Sequence, residues 1–209
     1  MMNKRLKQGS TFLLAVALTF PLLTLPGAKA ANAIDTDAEC SIQFDIGGNS
    51  SELLSASIPV NLYKVASVDV SGNYTATGTF AKLDLSSVSA DNLDTAAATW
   101  SERAAEAKKL LKDDTEPTTT VTLTQGRGTA TRLKTGLYLV DTPKVITPNY
   151  TYTFTPYLVS LPTNNYYNGK DASDNWIYNL TGSNAVGLKT EQHVRYGNLV
   201  INKESGDRK

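Results

Sequence analysis

The hydrophobic pattern divides the chain into a short apolar run at its start and a long stretch of strand-like alternation after it. Thr11 to Pro26 reads TFLLAVALTFPLLTLP, an apolar run broken by Pro21. Lys4, Arg5 and Lys7 precede it without an acid, and Ala28-Lys29-Ala30 follows as a small-x-small site. A positive end, an apolar middle and a small-residue exit are the three parts of an export signal, so residues 1–30 are expected to be a signal peptide cut before Ala31. A spanning helix would need about 20 unbroken apolar residues. No membrane span is expected once the signal is removed.

Beyond the signal, period-2 alternation dominates. Ser41–Ile46, Ile58–Val65, Tyr74–Phe80, Thr119–Thr124, Gly136–Asp141 and Tyr150–Leu161 each alternate or run apolar, and Gly, Asn or Pro bounds them. In the last of these, Tyr150, Tyr152 and Phe154 share one face and the threonines between them the other. These are half-buried strands, and many short strands separated by turn residues predict a sandwich. One segment has helical period instead. Over Leu93–Lys112 the residues Ala97, Trp100, Ala104, Ala107 and Leu111 form one stripe, Asp91 or Asp94 stands at the start, and Lys108, Lys109 and Lys112 suit the dipole at the end. The stripe is expected to pack on the sheet, with Trp100 in the core. Asp113–Thr118 is polar and contains Pro117, and it is read as a loop. The predicted fold is mostly β: an immunoglobulin-like β-sandwich with one α-helical insertion. The expected organisation is residues 1–30 signal, 31–38 N-terminal tail, 39–190 sandwich domain, and 191–209 linker plus first strand of an incomplete second domain. Gly197–Lys203, GNLVINK, alternates like such a first strand.

Charge narrows the partners. The whole chain has 20 basic and 20 acidic residues; without the four cations of the signal, 16 face 20, a net charge near −4. No basic cluster accompanies it, which argues against nucleic acid. Cys40 is the single cysteine, so no intramolecular disulfide forms, and an exported domain must be stabilised by core burial, by metal or by some other crosslink.

Candidate chemistry is sparse. The chain contains no Gly-x-Ser-x-Gly, no phosphate loop and no zinc-ligand spacing, and neither a metal nor a cofactor is expected. A dyad of Cys40 with the single histidine, His193, would make the chain a fragment of a secreted hydrolase; the plainer reading of His193 is an exposed linker residue. Asp35, Asp37 and Glu39 cluster, as do Asp171 and Asp174, without calcium-loop spacing, and solvated turns account for both. Tyr150, Tyr152, Tyr157, Tyr166, Tyr167 and Trp176 suggest a secreted carbohydrate-binding module if they form an exposed planar row.

Several segments resemble a known family in its own order. The strand at Leu62-Tyr63-Lys64-Val65 is similar to the L-Y-K-V strand of Gram-positive sortase-assembled pilins. Gly136-Leu137-Tyr138-Leu139-Val140 resembles their G-L-Y-L-V strand. Tyr152–Pro162 followed by Trp176-Ile177-Tyr178 resembles their F-x-P-x-L-x-S-L-P … W-x-Y stretch, and GNLVINK resembles the opening strand of a collagen-binding-protein B-type repeat. The chain thus resembles the N-terminal domain of such a pilin, with its end just inside the next repeat. The resemblance implies a secreted, cell-wall-attached structural protein: a pilus (fimbrial) subunit or adhesin, not an enzyme. Its partners would be a sortase, other pilin subunits, and a host surface protein or glycan. It also implies a lysine near the end of the domain as the site of sortase linkage. Lys189, in Leu188-Lys189-Thr190-Glu191, occupies the comparable place, though no Pro precedes it and its distance from Trp176 is longer than the motif; Lys144 and Lys170 are the alternatives, and an ordinary surface lysine is the plain reading of Lys189. Lys203 matches the isopeptide lysine of the following repeat. Within the first domain the family's Lys–Asn crosslink is not expected: Cys40–Ile46 has no lysine, and Asp141 stands one position early, which turns it to the other face. No Leu-Pro-x-Thr-Gly sorting signal is present.

Overall fold

A computed structural model describes residues 33–47, 51–90, 97–164 and 176–196. The calls at Asp91, Asp94, Asp171, Asp174, Tyr166, Tyr167, Lys170, Lys203 and the signal segment lie outside them. The elements run β1 (Glu39–Asp45), α1 (Ser51–Leu54), β2 (Ile58–Val68), β3 (Tyr74–Ala76), α2 (Ala97–Leu110), β4 (Thr119–Leu123), β5 (Arg127–Lys134), β6 (Gly136–Asp141), β7 (Val145–Ile146), β8 (Tyr150–Phe154), β9 (Tyr157–Leu161), β10 (Asn179–Leu180), β11 (Val186–Gly187) and β12 (Thr190–Val194).

The strands of the described residues form three sheets. In the first, β1 pairs antiparallel with β5 on one edge and parallel with β10 and then β11 on the other. The second has the order β3-β2-β6-β9, and β4 also pairs with β2. The third is β12-β8-β7, antiparallel throughout. The alternation of β1 sends Cys40, Ile42 and Phe44 inward, where they meet Ile58, Val60 and Leu62 of β2, Val121 and Leu123 of β4, and Tyr138 and Val140 of β6 in one buried cluster. Two sheets therefore face each other across a shared apolar core, which makes the domain an immunoglobulin-like β-sandwich. Both faces of the second sheet are covered. Leu137 and Leu139, with the opposite parity to Tyr138 and Val140, join Tyr63, Val65, Phe80 and the fully buried Ala104 and Ala107 of α2 in a second cluster. This explains why all six residues of β6 are buried.

The helix lies where its period placed it. Trp100 and Leu111 are partly buried against the second cluster, and Trp100 meets Tyr74 edge to face, with ring centroids 6.4 Å apart. The parity argument for Asp141 also holds in the structure: its carboxylate sits on the helix side of the sheet and pairs with Lys108 Nζ at 2.5 Å, not in the sandwich interior.

Three strand assignments differ from the sequence reading. Tyr150–Leu161 is two strands in two sheets, because Pro156, which has no N–H and a fixed φ, separates β8 from β9. β5, RGTATRLK, lies outside the strands that alternation predicts, because only its Ala130 and Leu133 are buried. The turn before it carries the signal, since Gln125 and Gly126 both have positive φ (51° and 77°) between the bridged pair Thr124 and Arg127, the geometry of a two-residue hairpin. Finally, Glu191–Val194, read as linker from the sequence, belongs to β12 and pairs with β8 as far as Val194↔Tyr150, so His193 is a strand residue.

Candidate functional site

The third sheet and the segment leading into it hold the candidate lysine. Leu188 is partly buried against the sandwich core, and Thr190 opens β12 opposite Phe154. Between them the Lys189 carbonyl accepts a hydrogen bond from the Thr155 N–H at 2.9 Å. The backbone is thus held on both sides of a residue whose side chain is exposed. Its ammonium lies 5.6 Å from the centroid of the Tyr157 ring, and the Tyr157 hydroxyl donates to the Gly187 carbonyl at 3.2 Å. A cation over an aromatic face at such a site contributes about 0.5–1 kcal/mol, which orients the amine without trapping it. No carboxylate pairs with Lys189 among the described residues. Composition alone groups Tyr157 with the possible sugar-stacking aromatics; its place beneath Lys189 depends on the break at Pro156 that puts β8 and β9 in different sheets, which alternation does not reveal.

The other lysines differ in their surroundings. Lys144 is exposed between Pro143 and β7. Lys108 is tied to Asp141. Lys64, on β2, has its pKa held below the ordinary value by burial first and by the nearby Lys134 second.

The dyad of Cys40 and His193 is not formed. Cys40 is 1% exposed inside the sandwich, and burial pushes its thiol up to about 11, far from the thiolate a nucleophile needs. His193 is exposed on β12, with Nε2 3.3 Å from Thr153 Oγ1 and 3.9 Å from Glu191 Oε2. The two residues sit in different sheets, one in the core and one on the surface, and the hydrolase reading built on their contact is corrected. Asp35 uses its carboxylate to accept the Asp37 N–H, a local turn, and no group of three or more His, Cys, Asp or Glu side chains converges among the described residues. The aromatic row is not formed either among the described residues. Tyr152 is buried, Tyr150 tilts against it with centroids 5.9 Å apart, Tyr157 is half-buried with its hydroxyl pushed up by burial, and Trp176 packs beside Ile34, Val68 and Ala90. No described helix is long and apolar enough to cross a membrane.

A network on the same sheet holds the β7–β8 turn. Glu52 of α1 accepts hydrogen bonds from Thr147 Oγ1, Asn149 N–H and Asn149 Nδ2, and these hold its carboxyl below the usual range, the Thr147 hydroxyl most strongly. From the other side, Arg195 donates Nη1 to the Thr147 carbonyl at 2.7 Å and its backbone N–H to the Asn149 carbonyl at 2.9 Å. The chain leaving β12 is therefore fastened to the body of the domain.

No family model matches the chain, and no curated protein matches it. Two solved structures superpose in part. One is the full-length major pilin SpaD from Corynebacterium diphtheriae, at 20% identity and a TM-score of 0.40, covering 75% of this chain and 31% of that one. The other is the fimbrial protein FimP from Actinomyces oris, at 20% identity and a TM-score of 0.43, covering 76% of this chain and 31% of that one. This chain thus spans about a third of the length of either.

Proposed function

We propose that the chain is a secreted, surface-displayed structural subunit, a pilin or adhesin of a Gram-positive cell wall, joined to other subunits by a sortase through Lys189. The observation that carries the reading is the presentation of Lys189: an exposed ammonium on a backbone pinned by Thr155 and β12, with no carboxylate partner among the described residues. The ordered set of pilin-like segments supplies the context. The step needs only an amine. The ε-amine of Lys189, after losing its proton to solvent, attacks the thioester that a sortase forms with the C-terminal Thr of another subunit; an amide forms and the enzyme's thiol leaves. In this reading residues 31–38 are a tail, the sandwich domain closes with β12, and residues 197–209 open a further domain in which Lys203 is the isopeptide lysine. Sortase, other subunits and a host surface protein or glycan remain the partners.

The test is transfer of a labelled sorting-signal peptide by a pilin sortase to residues 31–209. Mass spectrometry is expected to place the adduct on Lys189, and Lys189→Arg to abolish it. Adducts on Lys144 or Lys170 alone would overturn the site and keep the class. No lysine adduct with an active sortase would overturn sortase linkage altogether and leave an adhesin that is not polymerised.

A further inference from the structure

The hydrogen bonds of β12 define which of its backbone groups are spoken for. Thr155 N–H donates to the Lys189 carbonyl, and Arg195 N–H donates to the Asn149 carbonyl. In the β12–β8 register Thr190 faces Phe154 and Val194 faces Tyr150, so Lys189 falls opposite Thr155 and Arg195 opposite Asn149, and both are hydrogen-bonded positions of the ladder. Hydrogen-bonded and non-hydrogen-bonded pairs alternate in an antiparallel ladder. Glu191 and His193 therefore also bond to β8, while Thr190, Gln192 and Val194 turn their N–H and C=O groups to the opposite edge. All five residues of β12 are exposed, and among the described residues β12 pairs with β8 alone. Thr190–Val194 has no Pro, no Lys and no bulge, and Glu191 is the carboxylate within it that any pairing along this edge must accommodate.

We infer that this edge is a self-association surface, on which a second copy pairs its own β12 antiparallel about a two-fold axis at Gln192. The order Thr-Glu-Gln-His-Val suits that arrangement in three ways. Gln192 of each copy exchanges both backbone hydrogen bonds with Gln192 of the other, and Thr190 does so with Val194 of the other copy. That gives two bonds at the centre and two at each flanking pair, about six in all, using only groups that already face outward. Glu191 falls opposite His193 of the second copy, twice by symmetry, in the non-hydrogen-bonded pairs where side chains approach most closely; a carboxylate acceptor thus meets an imidazole donor on each side of the axis. Val194, 59% exposed in the single chain, is covered by Thr190 of the second copy. The like-charge pairing of Lys189 with Arg195 of the second copy, which also occurs twice by symmetry, is relieved because both head groups are engaged within their own chain. The Lys189 ammonium is over Tyr157, and the Arg195 guanidinium reaches across to the Thr147 carbonyl. The result is a continuous six-stranded sheet, β7-β8-β12 followed by its symmetry mate. An interface of two five-residue edges is small, so the association is weak, with a Kd on the order of 100 µM.

Sedimentation equilibrium of residues 31–209, a compact unit by itself, over roughly 1 µM to 1 mM tests this directly, the range bracketing the Kd above. A monomer–dimer equilibrium is expected. Gln192→Pro removes an N–H that faces the free edge and leaves the β8 ladder intact, so dimerisation should weaken about tenfold or more while the circular dichroism stays unchanged. Glu191→Lys should weaken it by about tenfold, and the double variant Glu191→Lys, His193→Glu, which restores opposite pairs by exchange, should return it to within about threefold of the parent. A monomer at every concentration, the outcome if residues 197–209 occupy the edge, overturns the inference. A dimer indifferent to Gln192→Pro, or a double variant no better than Glu191→Lys, overturns it equally; should Gln192→Pro fail to fold, the charge exchange decides.

Discussion

Trp100 tests how α2 is fastened to the sandwich. The helix contributes two fully buried alanines and its larger anchor, Trp100, whose ring is partly buried against Tyr74 and the second cluster. A fully buried Trp or Phe cut to Ala costs about 3–5 kcal/mol. Two features lower the figure here. The ring is only partly covered, and its Nε1 is buried without a hydrogen-bond partner among the described residues. An unmet donor costs about 1–3 kcal/mol, which truncation relieves. Trp100→Ala should therefore lose about 2–3 kcal/mol in urea titration. Trp100→Phe separates the contributions: it keeps most of the ring contact, removes the unmet donor, and should fall within about 1 kcal/mol of the parent. A loss below about 1 kcal/mol for Trp100→Ala would show that α2 is a peripheral flap. Equal losses for Phe and Ala would show that Nε1 has a partner and that the donor argument is wrong.

Two further outcomes follow from titratable groups. The Cys40 thiol, raised by burial to about 11, stays protonated and enclosed at pH 8; an aromatic disulfide reagent should react with the native protein only at the rate of unfolding, and rapid reaction without denaturant would refute its burial. Asp45, Glu52 and Asp69 have pKa values lowered from 3.8, 4.5 and 3.8 by hydrogen bonds, from the Gly47 backbone, the Thr147 side chain and the Asn73 side chain first in each case. Groups depressed in the folded state contribute stability that is complete above their unfolded values and is lost as pH falls through the folded ones. The melting temperature should be flat from about pH 7 to 5 and fall below about pH 4, with Glu52→Gln flattening part of that fall; an acid limb unchanged in Glu52→Gln would exclude the Glu52–Thr147–Asn149 network as a contributor.

What could be read from the sequence was what has a period. The inward face of β1, the doubly buried strand at Gly136–Asp141 and the stripe of α2 follow from alternation at 2 or 3.6, and even the outward turn of Asp141 follows from counting along β6. The remainder was set by tertiary context. β5 has two buried residues in eight and pairs through backbone groups that every residue but proline supplies, so its local mark is the Gln125-Gly126 turn. β12 is wholly exposed, and a polar strand on an edge has the composition of a linker. Of the candidate site, the choice of Lys189 rests on motif order, whereas its ring contact, its hydrogen-bonded carbonyl and the separation of Cys40 from His193 needed the fold.

The central claim concerns a covalent bond, and the most direct measurement is on polymer made by living cells. High-molecular-weight material released from the surface of cells that make this protein, digested and sequenced by tandem mass spectrometry, should contain a branched peptide in which the ε-nitrogen of Lys189 is acylated by a C-terminal Thr. If this protein appears in such polymer with Lys189 always unmodified, or is recovered from the surface only as an unlinked monomer, the account of Lys189 as the point of assembly is contradicted.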